Sequence, residues 1–122
     1  MDFKDVLFRP KRSTLKSRSQ VSLDRTYTFH NSKKTWTGVP VIAANMDTTG
    51  TFALATVLAK QKCVTCLHKH YTATEIADFV RANPDVAPFV AVSGGTSQKD
   101  FDTITDVMAA VGDALNMICL DV

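Results

Sequence analysis

Two charged residues of this 122-residue chain, Lys69 and Asp121, each follow a short apolar run. A lone lysine or aspartate is usually a solvated charge. At the end of a buried strand the expectation differs, because a buried charge persists only when it is paired or functional. Lys69 alternates with Thr65 and Leu67, so on a strand it would share their face, and Asp121 would meet it from another strand. We therefore predict a functional pair.

Polar and glycine-rich segments follow all four apolar runs of the chain. The runs cover residues 39–44, 64–68, 89–93 and 117–120, and they are followed by Asn45-Met46-Asp47, Lys69-His70, Gly94-Gly95-Thr96 and Asp121. Parallel sheets bind ligands at the carboxyl ends of their strands, so one edge is predicted to hold most of the chemistry. Residues 93–96 could offer backbone amides to an anion, or they could form a plain tight loop.

The elements that must position these residues alternate along the chain. Each of the first three apolar runs is followed by a helical pattern, which is typical of βαβ units and a parallel sheet. The runs start 25, 25 and 28 residues apart. This spacing predicts an α/β fold of the (β/α)8 barrel type, which needs eight strands and about 250 residues. We expect a basic extension that packs on the barrel in residues 1–38, and the first half of the barrel (strands one to four) in residues 39–122.

Local signals predict where several elements begin and end. Val39-Pro40 is expected to open a first buried strand. Thr72 and Glu75 fit a capping box, and the helix that they begin should stop before Pro84. Residues 21–34 favour a short strand or hairpin. The third helix is predicted to present Phe101, Ile104, Met108 and Val111 on one apolar face.

The cysteines invite a metal or redox interpretation. Cys63 and Cys66 precede His68 and His70, and zinc is commonly held by such residues. On a strand, however, Cys63 would point away from the other three side chains. A redox Cys-x-x-Cys motif gains its reactivity at a helix N-terminus, which this stretch is not. Buried, reduced thiols are the favoured interpretation, for Cys119 as well, and we predict no metal in this chain.

The net charge of +2 conceals an asymmetry. Residues 1–36 carry nine Lys or Arg against three Asp, whereas residues 37–122 carry five against nine Asp or Glu. The basic run from Arg9 to Arg18 could contact nucleic acid, the phosphates of a small cofactor, or solvent alone. No aromatic residue interleaves this run, which weakens a stacking platform for single strands. Nucleic acid is therefore not predicted as a partner.

Export and membrane insertion are not indicated. No apolar run approaches the roughly 18 residues of a membrane span. The first residues contain no apolar signal region. We expect a cytoplasmic location and no membrane partner.

Several segments of the sequence resemble one known family. The segments are Asp2-Phe3-Lys4-Asp5-Val6-Leu7, Arg9-Pro10-Lys11-Arg12-Ser13-Thr14-Leu15-Lys16-Ser17-Arg18, Ala43-Ala44-Asn45-Met46-Asp47-Thr48, Gly50-Thr51-Phe52 and His68-Lys69-His70-Tyr71. They are similar to GMP reductases, which share a TIM-barrel family with IMP dehydrogenases. The short link at residues 83–88, where IMP dehydrogenases usually carry a large insertion, favours the reductase. The chain departs from the usual family pattern at Thr49, Leu67 and Gly94.

The resemblance implies an NADPH-dependent oxidoreductase that converts GMP to IMP and ammonia. In such enzymes a cysteine thiolate attacks C2 of the purine, ammonia leaves, and hydride reduces the covalent intermediate. By position, Lys69 and Asp121 would lie beside the reacting carbon and the nicotinamide, assisting ammonia departure and holding the cofactor. The other implied contacts are Ser17 and Arg18 at the phosphate-bearing end of the cofactor across a subunit contact, the Val122 backbone at the cofactor, and Ala44, Asn45 and Met46 at the purine.

The resemblance also implies that much of the machinery lies outside this chain. The family's nucleophilic cysteine, proton-transferring threonine, K⁺ loop and GMP phosphate site follow the fourth strand, and Cys63, Cys66 and Cys119 do not align with the nucleophile. The complete enzyme is expected to be a homotetramer, and this chain alone is expected to be inactive. Two alternatives stay open: an IMP dehydrogenase-like enzyme, and a non-catalytic fragment that binds cofactor or polyanions through its basic arm.

Overall fold

The computed structural model describes residues 1–122 and has an α/β architecture. Its strands and α-helices are β1 (Arg25–Thr28), β2 (Thr35–Gly38), β3 (Ile42–Ala43), α1 (Phe52–Ala59), β4 (Val64–Leu67), α2 (Ala73–Ala82), β5 (Val90–Gly94), α3 (Gln98–Val111) and β6 (Met117–Leu120). Short 3-10 turns lie at Phe3–Asp5, Arg18–Gln20, Ala87–Phe89 and Gly112–Ala114. None of the helices is long and apolar enough to cross a bilayer.

Strands β3 to β6 form one parallel sheet in the order β3-β4-β5-β6. Ile42 pairs with Val64, Thr65 with Val90, and Ala91 with Met117. Consecutive strands are neighbours because α1, α2 and α3 each return the chain to the same end of the sheet. The predicted strand–helix alternation and parallel sheet are therefore confirmed, and all four carboxyl ends lie at one edge.

The helix ends follow from local capping. The Thr72 side chain accepts from the Glu75 amide at 3.2 Å, and the Glu75 carboxylate accepts from the Thr72 amide at 2.8 Å. This reciprocal pair satisfies two of the free N–H groups at the start of α2. The helix ends at Ala82, before Pro84. Both predictions for this helix are confirmed.

The two faces of the sheet bury different residues. Eleven residues form the core on the helix-covered face: Ala55, Ala59, Leu67, Ile76, Val80, Val86, Ala87, Val90, Val92, Val107 and Leu115. The opposite face carries the smaller cluster of Val64, Cys66 and Ala91, against which Trp36, Met117 and Cys119 pack. The larger branched side chains of β4 and β5 therefore point toward the helices, where they lose the most contact with water.

Two burial predictions are wrong. The first strand is short and exposed, since only Ile42–Ala43 pairs and the side chains of Val41 and Ile42 are 59% and 63% exposed. The reason is that β3 is an edge strand with no neighbour on its outer side. Phe101 is 64% exposed, and Val107 is the buried residue of α3 instead.

The hairpin predicted within residues 21–34 is confirmed, and it packs at the amino end of the sheet. Strands β1 and β2 pair antiparallel, and the turn between them contains Lys33 at φ 57°. The Trp36 indole N–H donates to the Pro88 carbonyl oxygen at 3.0 Å. Gly38 lies so close beneath this ring that an added Cβ would be 2.5 Å from it. Residues 1–22 precede the hairpin and are exposed.

Candidate active site

The loop after β3 is bonded to the end of β4. The Gly50 amide donates to the Met46 carbonyl at 2.7 Å, and the His68 amide donates to the Gly50 carbonyl at 2.9 Å. A Cβ on Gly50 would lie 2.3 Å from the Cys66 carbonyl oxygen. Only glycine permits this approach of the two backbones. The loops that carry residues 44–47 and 68–71 therefore form one structural unit.

Four stacked rings hold the loop after β4. Phe79 of α2 stacks on Phe52 of α1 with centroids 4.3 Å apart, and Phe52 stacks on Tyr71 at 3.8 Å. Tyr71 stacks in turn on His68 at 4.0 Å, and its hydroxyl accepts from the Phe52 amide at 3.3 Å. The stack therefore holds His68 and Tyr71, the residues on either side of the Lys69-His70 segment, against helices α1 and α2.

Lys69 itself is exposed and makes neither a hydrogen bond nor an ion pair. It lines a polar cleft of about 480 Å³ between the starts of α2 and α3. Asp100 lines the same cleft, and the Ser97 hydroxyl donates to its carboxylate at 2.5 Å. This hydrogen bond, followed by the charge of Lys69, holds the pKa of Asp100 below its ordinary value. The cleft thus contains a free ammonium and a carboxylate held in its charged form.

Asp121 contacts a different residue from the one predicted. Its carboxylate accepts from the Asn45 side-chain amide at 3.0 Å, and its backbone amide donates to the Gly94 carbonyl at 3.0 Å. It forms no ion pair with Lys69, so the expected direct meeting of the two is wrong. The physical reason lies in the faces of the sheet. Lys69 was expected to share the face of Leu67, but Leu67 packs against the helices. Met117 and Cys119, whose face Asp121 was expected to share, line the opposite side of the sheet.

The Asn45–Asp121 hydrogen bond reports on the shape of the sheet. These residues follow β3 and β6, the two outermost strands. In a flat sheet those strands would be about 14 Å apart, since neighbours are spaced by about 4.8 Å. A side-chain contact of 3.0 Å requires the carboxyl ends to converge. The sheet is therefore curved, with its smaller-residue face on the inside.

The other residues implied by the resemblance fall into two groups, one in the loops at the carboxyl edge and one in the amino-terminal segment. Asn45 is half-buried, while Ala44, Met46 and Val122 are exposed. Ser17 caps the Arg18–Gln20 turn by accepting from the Ser19 amide at 3.3 Å, and the Arg18 side chain has no partner. No hydrogen bond or ion pair joins the turn to the strand ends. The structure thus brings Asn45 and Asp121 together but leaves Ser17 and Arg18 apart from them.

The glycine loop after β5 is a tight loop whose neighbouring anion belongs to the chain itself. A Cβ on Gly95 would be 2.9 Å from the Asp100 carboxylate, and the Gly95 backbone helps to lower the pKa of that group. A Cβ on Gly94 would be 2.6 Å from Ile104. The departure to glycine at position 94 therefore admits close packing of α3 on β5.

One contact at this edge was missed by sequence reasoning. The His70 Nε2 lies 3.1 Å from an Asp47 carboxylate oxygen, and both side chains are largely exposed. Both residues belong to segments that the sequence singles out. Their pairing could not be inferred, because nothing local connects positions so far apart in the chain.

The three cysteines are free thiols in this structure. Cys66 is 8% exposed, and burial together with the neighbouring Cys119 raises its pKa to about 12. The two cysteines lie on β4 and β6, with β5 between them, and both belong to the smaller cluster on the face opposite the helices. Cys63 and Cys119 are partly buried. His68 and His70 have the ring and carboxylate partners described above.

The chain is similar to known proteins along its whole length. Residues 1–119 match the family model described as the IMP dehydrogenase / GMP reductase domain. The chain is 60% identical over 122 residues to a GMP reductase of Phytophthora infestans, covering all of this chain and 33% of that protein. It is 52% identical over 122 residues to GMP reductase 2 of Homo sapiens, covering all of this chain and 35% of that protein. The chain thus spans about a third of the length of these relatives.

A solved structure has the same arrangement of elements. The crystal structure of inosine 5' monophosphate dehydrogenase from Legionella pneumophila superposes with a TM-score of 0.68 at 27% identity, covering 98% of this chain and 34% of that chain. The sequence and structural matches agree with the resemblance found in the motifs. The chain belongs to the IMP dehydrogenase / GMP reductase family.

Proposed function

We propose that this chain is the first part of an NADPH-dependent oxidoreductase that converts GMP to IMP and ammonia. The observation that carries the proposal is the match, over the whole chain and at 52–60% identity, to proteins named GMP reductase. The motifs around Asn45 and Lys69 lie within that match. The chain contributes the strand ends and loops of the active site. The nucleophile that attacks the purine is a cysteine elsewhere in the protein.

Residues 39–122 form the first half of a (β/α)8 barrel. Three features support this: four parallel strands in sequential order, inward curvature at the carboxyl ends, and exposed outer strands with apolar side chains such as Ile42 and Leu120. Four further strands would cover both edges and close the interior around Cys66 and Ala91. Residues 1–38 form the basic extension, whose hairpin packs on the amino end of the barrel through Trp36.

Lys69 at the carboxyl edge and Arg18 in the amino-terminal segment have the charge needed to bind a dinucleotide cofactor. Lys69 and Arg18 are cations without an anionic partner, and phosphates or a carboxamide can bind such groups. NADPH supplies a hydride when bound. Lys69 and Asp121 hold the nicotinamide end and assist the departure of ammonia, the Val122 backbone contacts the cofactor, and Ser17 and Arg18 bind its phosphate-bearing end across a subunit contact.

The purine lies against Ala44, Asn45 and Met46. The Asn45 side chain links this region to the cofactor region, because it donates to the Asp121 carboxylate. Cys66 is unsuited to attack the purine, since the high pKa of its thiol leaves almost no thiolate at neutral pH. The complete enzyme is a cytoplasmic homotetramer, and its K⁺ site lies outside this chain.

The direct test is GMP-dependent oxidation of NADPH by the complete protein, with IMP and ammonia measured as products. Stoichiometric IMP and ammonia are expected. IMP-dependent reduction of NAD⁺, with no reaction of GMP, would instead assign the protein to the dehydrogenase branch. Absence of both reactions would overturn the proposal. Intact mass should be measured on the same sample, because a mass of 13.3 kDa would mean that only this chain is present.

A further inference from the structure

The loop that carries Lys69 is attached to the loop after β3 at two points. One is a backbone bond, from the His68 amide to the Gly50 carbonyl at 2.9 Å. The other joins side chains, with His70 Nε2 at 3.1 Å from the Asp47 carboxylate. Lys69 lies between the two attachment points. The two attachment points therefore limit how far the Lys69 backbone can move relative to the opposite loop.

On the opposite side, the two attachment points are Asp47 and Gly50 of the loop after β3. Asp47 follows the Asn45-Met46 segment directly, and Gly50 closes that loop through its bond to Met46. The Asp47–His70 contact thus fixes the distance between the segment facing the purine and the segment carrying the lysine. The backbone bond and the aromatic stack hold His68 and Tyr71, whereas the Asp47–His70 contact ties the residue directly after Lys69 to the opposite loop.

We propose that Asp47 and His70 are positioning residues, and that the contact between their side chains orients Lys69 relative to Asn45 and Met46. This inference rests on the function proposed for Lys69. Neither residue needs to touch the reacting atoms. Since both side chains are more than half exposed, the pair contributes little to global stability, and its role is local.

The test compares Asp47→Asn with Asp78→Asn in the complete protein. Asp78 is the matched control, because it is also a largely exposed acid that makes one ion pair, with Arg81 at 3.4 Å, but it lies on α2 away from the strand ends. Asp47→Asn should lower kcat about fivefold with little change in KM for NADPH, as expected for loss of one exposed pair. It should also speed hydrogen exchange at residues 69–71. Asp78→Asn should change neither quantity.

A double-mutant cycle with His70→Gln separates positioning from charge. If the pair acts as a unit, the double variant should be no slower than either single variant. Additive losses, or unchanged exchange at residues 69–71 in Asp47→Asn, would overturn the inference. The proposed function fails differently, because the wild-type protein would then show no GMP-dependent oxidation of NADPH while the exchange measurement would still report on the pair.

Discussion

The two ends of the parallel sheet are built in opposite ways. At the amino end, Trp36 lies between Tyr27 and Phe89, and its indole N–H is bonded to the Pro88 carbonyl. At the carboxyl end, the Lys69 side chain has no hydrogen-bond or ion-pair partner, and the Asp121 side chain has only the Asn45 amide. The indole at the first end is committed to the fold, whereas the Lys69 ammonium at the second end is available to a ligand. Under the proposed function, stability and chemistry are thus assigned to different ends, a division that is typical of barrel enzymes.

Lys69→Ala should have the largest effect, because it removes an unpaired cation from the cleft at the carboxyl edge. Turnover of the complete protein should fall by about 100-fold or more, the size expected for loss of a group assisting proton transfer. The midpoint of urea unfolding should be unchanged, since Lys69 makes no contact that stabilises the fold. Lys60→Ala, at the end of α1, is the control and should keep full turnover. Near-normal turnover of Lys69→Ala would remove this residue from the site.

Trp36→Ala tests the amino end of the sheet, where we expect a loss of stability without a loss of substrate binding. Loss of its ring should lower the free energy of unfolding by about 3 kcal/mol. The KM for GMP should stay within about twofold, because the ring lies at the opposite end of the sheet. Trp36→Phe keeps an aromatic ring and loses only the indole hydrogen bond, so urea unfolding should show a loss of about 1 kcal/mol. A large change in KM with unchanged stability would contradict the separation of the two ends.

Gly50→Ala should affect both properties at once. The new methyl group would meet the Cys66 carbonyl oxygen and the His68 amide, which belong to backbone that cannot move freely. Stability should fall by about 2 kcal/mol. Turnover should also fall, since the displaced loops flank Lys69. The adjacent exposed change Thr48→Ala should alter neither urea unfolding nor turnover, and a fully active, stable Gly50→Ala would show that the loops tolerate separation.

The smallest expected effect concerns the acid at the start of α3. The Ser97 hydroxyl lowers the pKa of Asp100, so this bond stabilises the fold above the ordinary aspartate pKa of 3.8 and is lost as the pH falls through the lower folded value. The difference in unfolding free energy between wild type and Ser97→Ala should therefore shrink as the pH falls below 3.8. Ser32→Ala, in the hairpin turn, should differ from wild type by a constant amount. A pH-independent Ser97→Ala difference would exclude the coupling to Asp100.

Elements set by neighbouring residues were predictable. The capping box of Thr72 and Glu75 involves positions three apart, and β6 has the bounds read from its apolar run at residues 117–120. The orientation of Lys69 was not, because alternation along β4 says which residues share a face but not which face the helices cover. The exposure of Ile42 was not predicted either, because an apolar run has the same pattern whether its strand lies at the edge or in the middle of a sheet.

By itself, the sequence determined the order of strands and helices, the ends of α2, and the edge of the sheet at which polar residues gather. Its motifs also determined the family. Only the tertiary structure decided that Asp121 contacts Asn45 and that Asp47 contacts His70. The reason is one of range: capping and alternation act over a few residues, whereas these contacts join residues that are far apart in the chain and depend on how the strands and loops pack together.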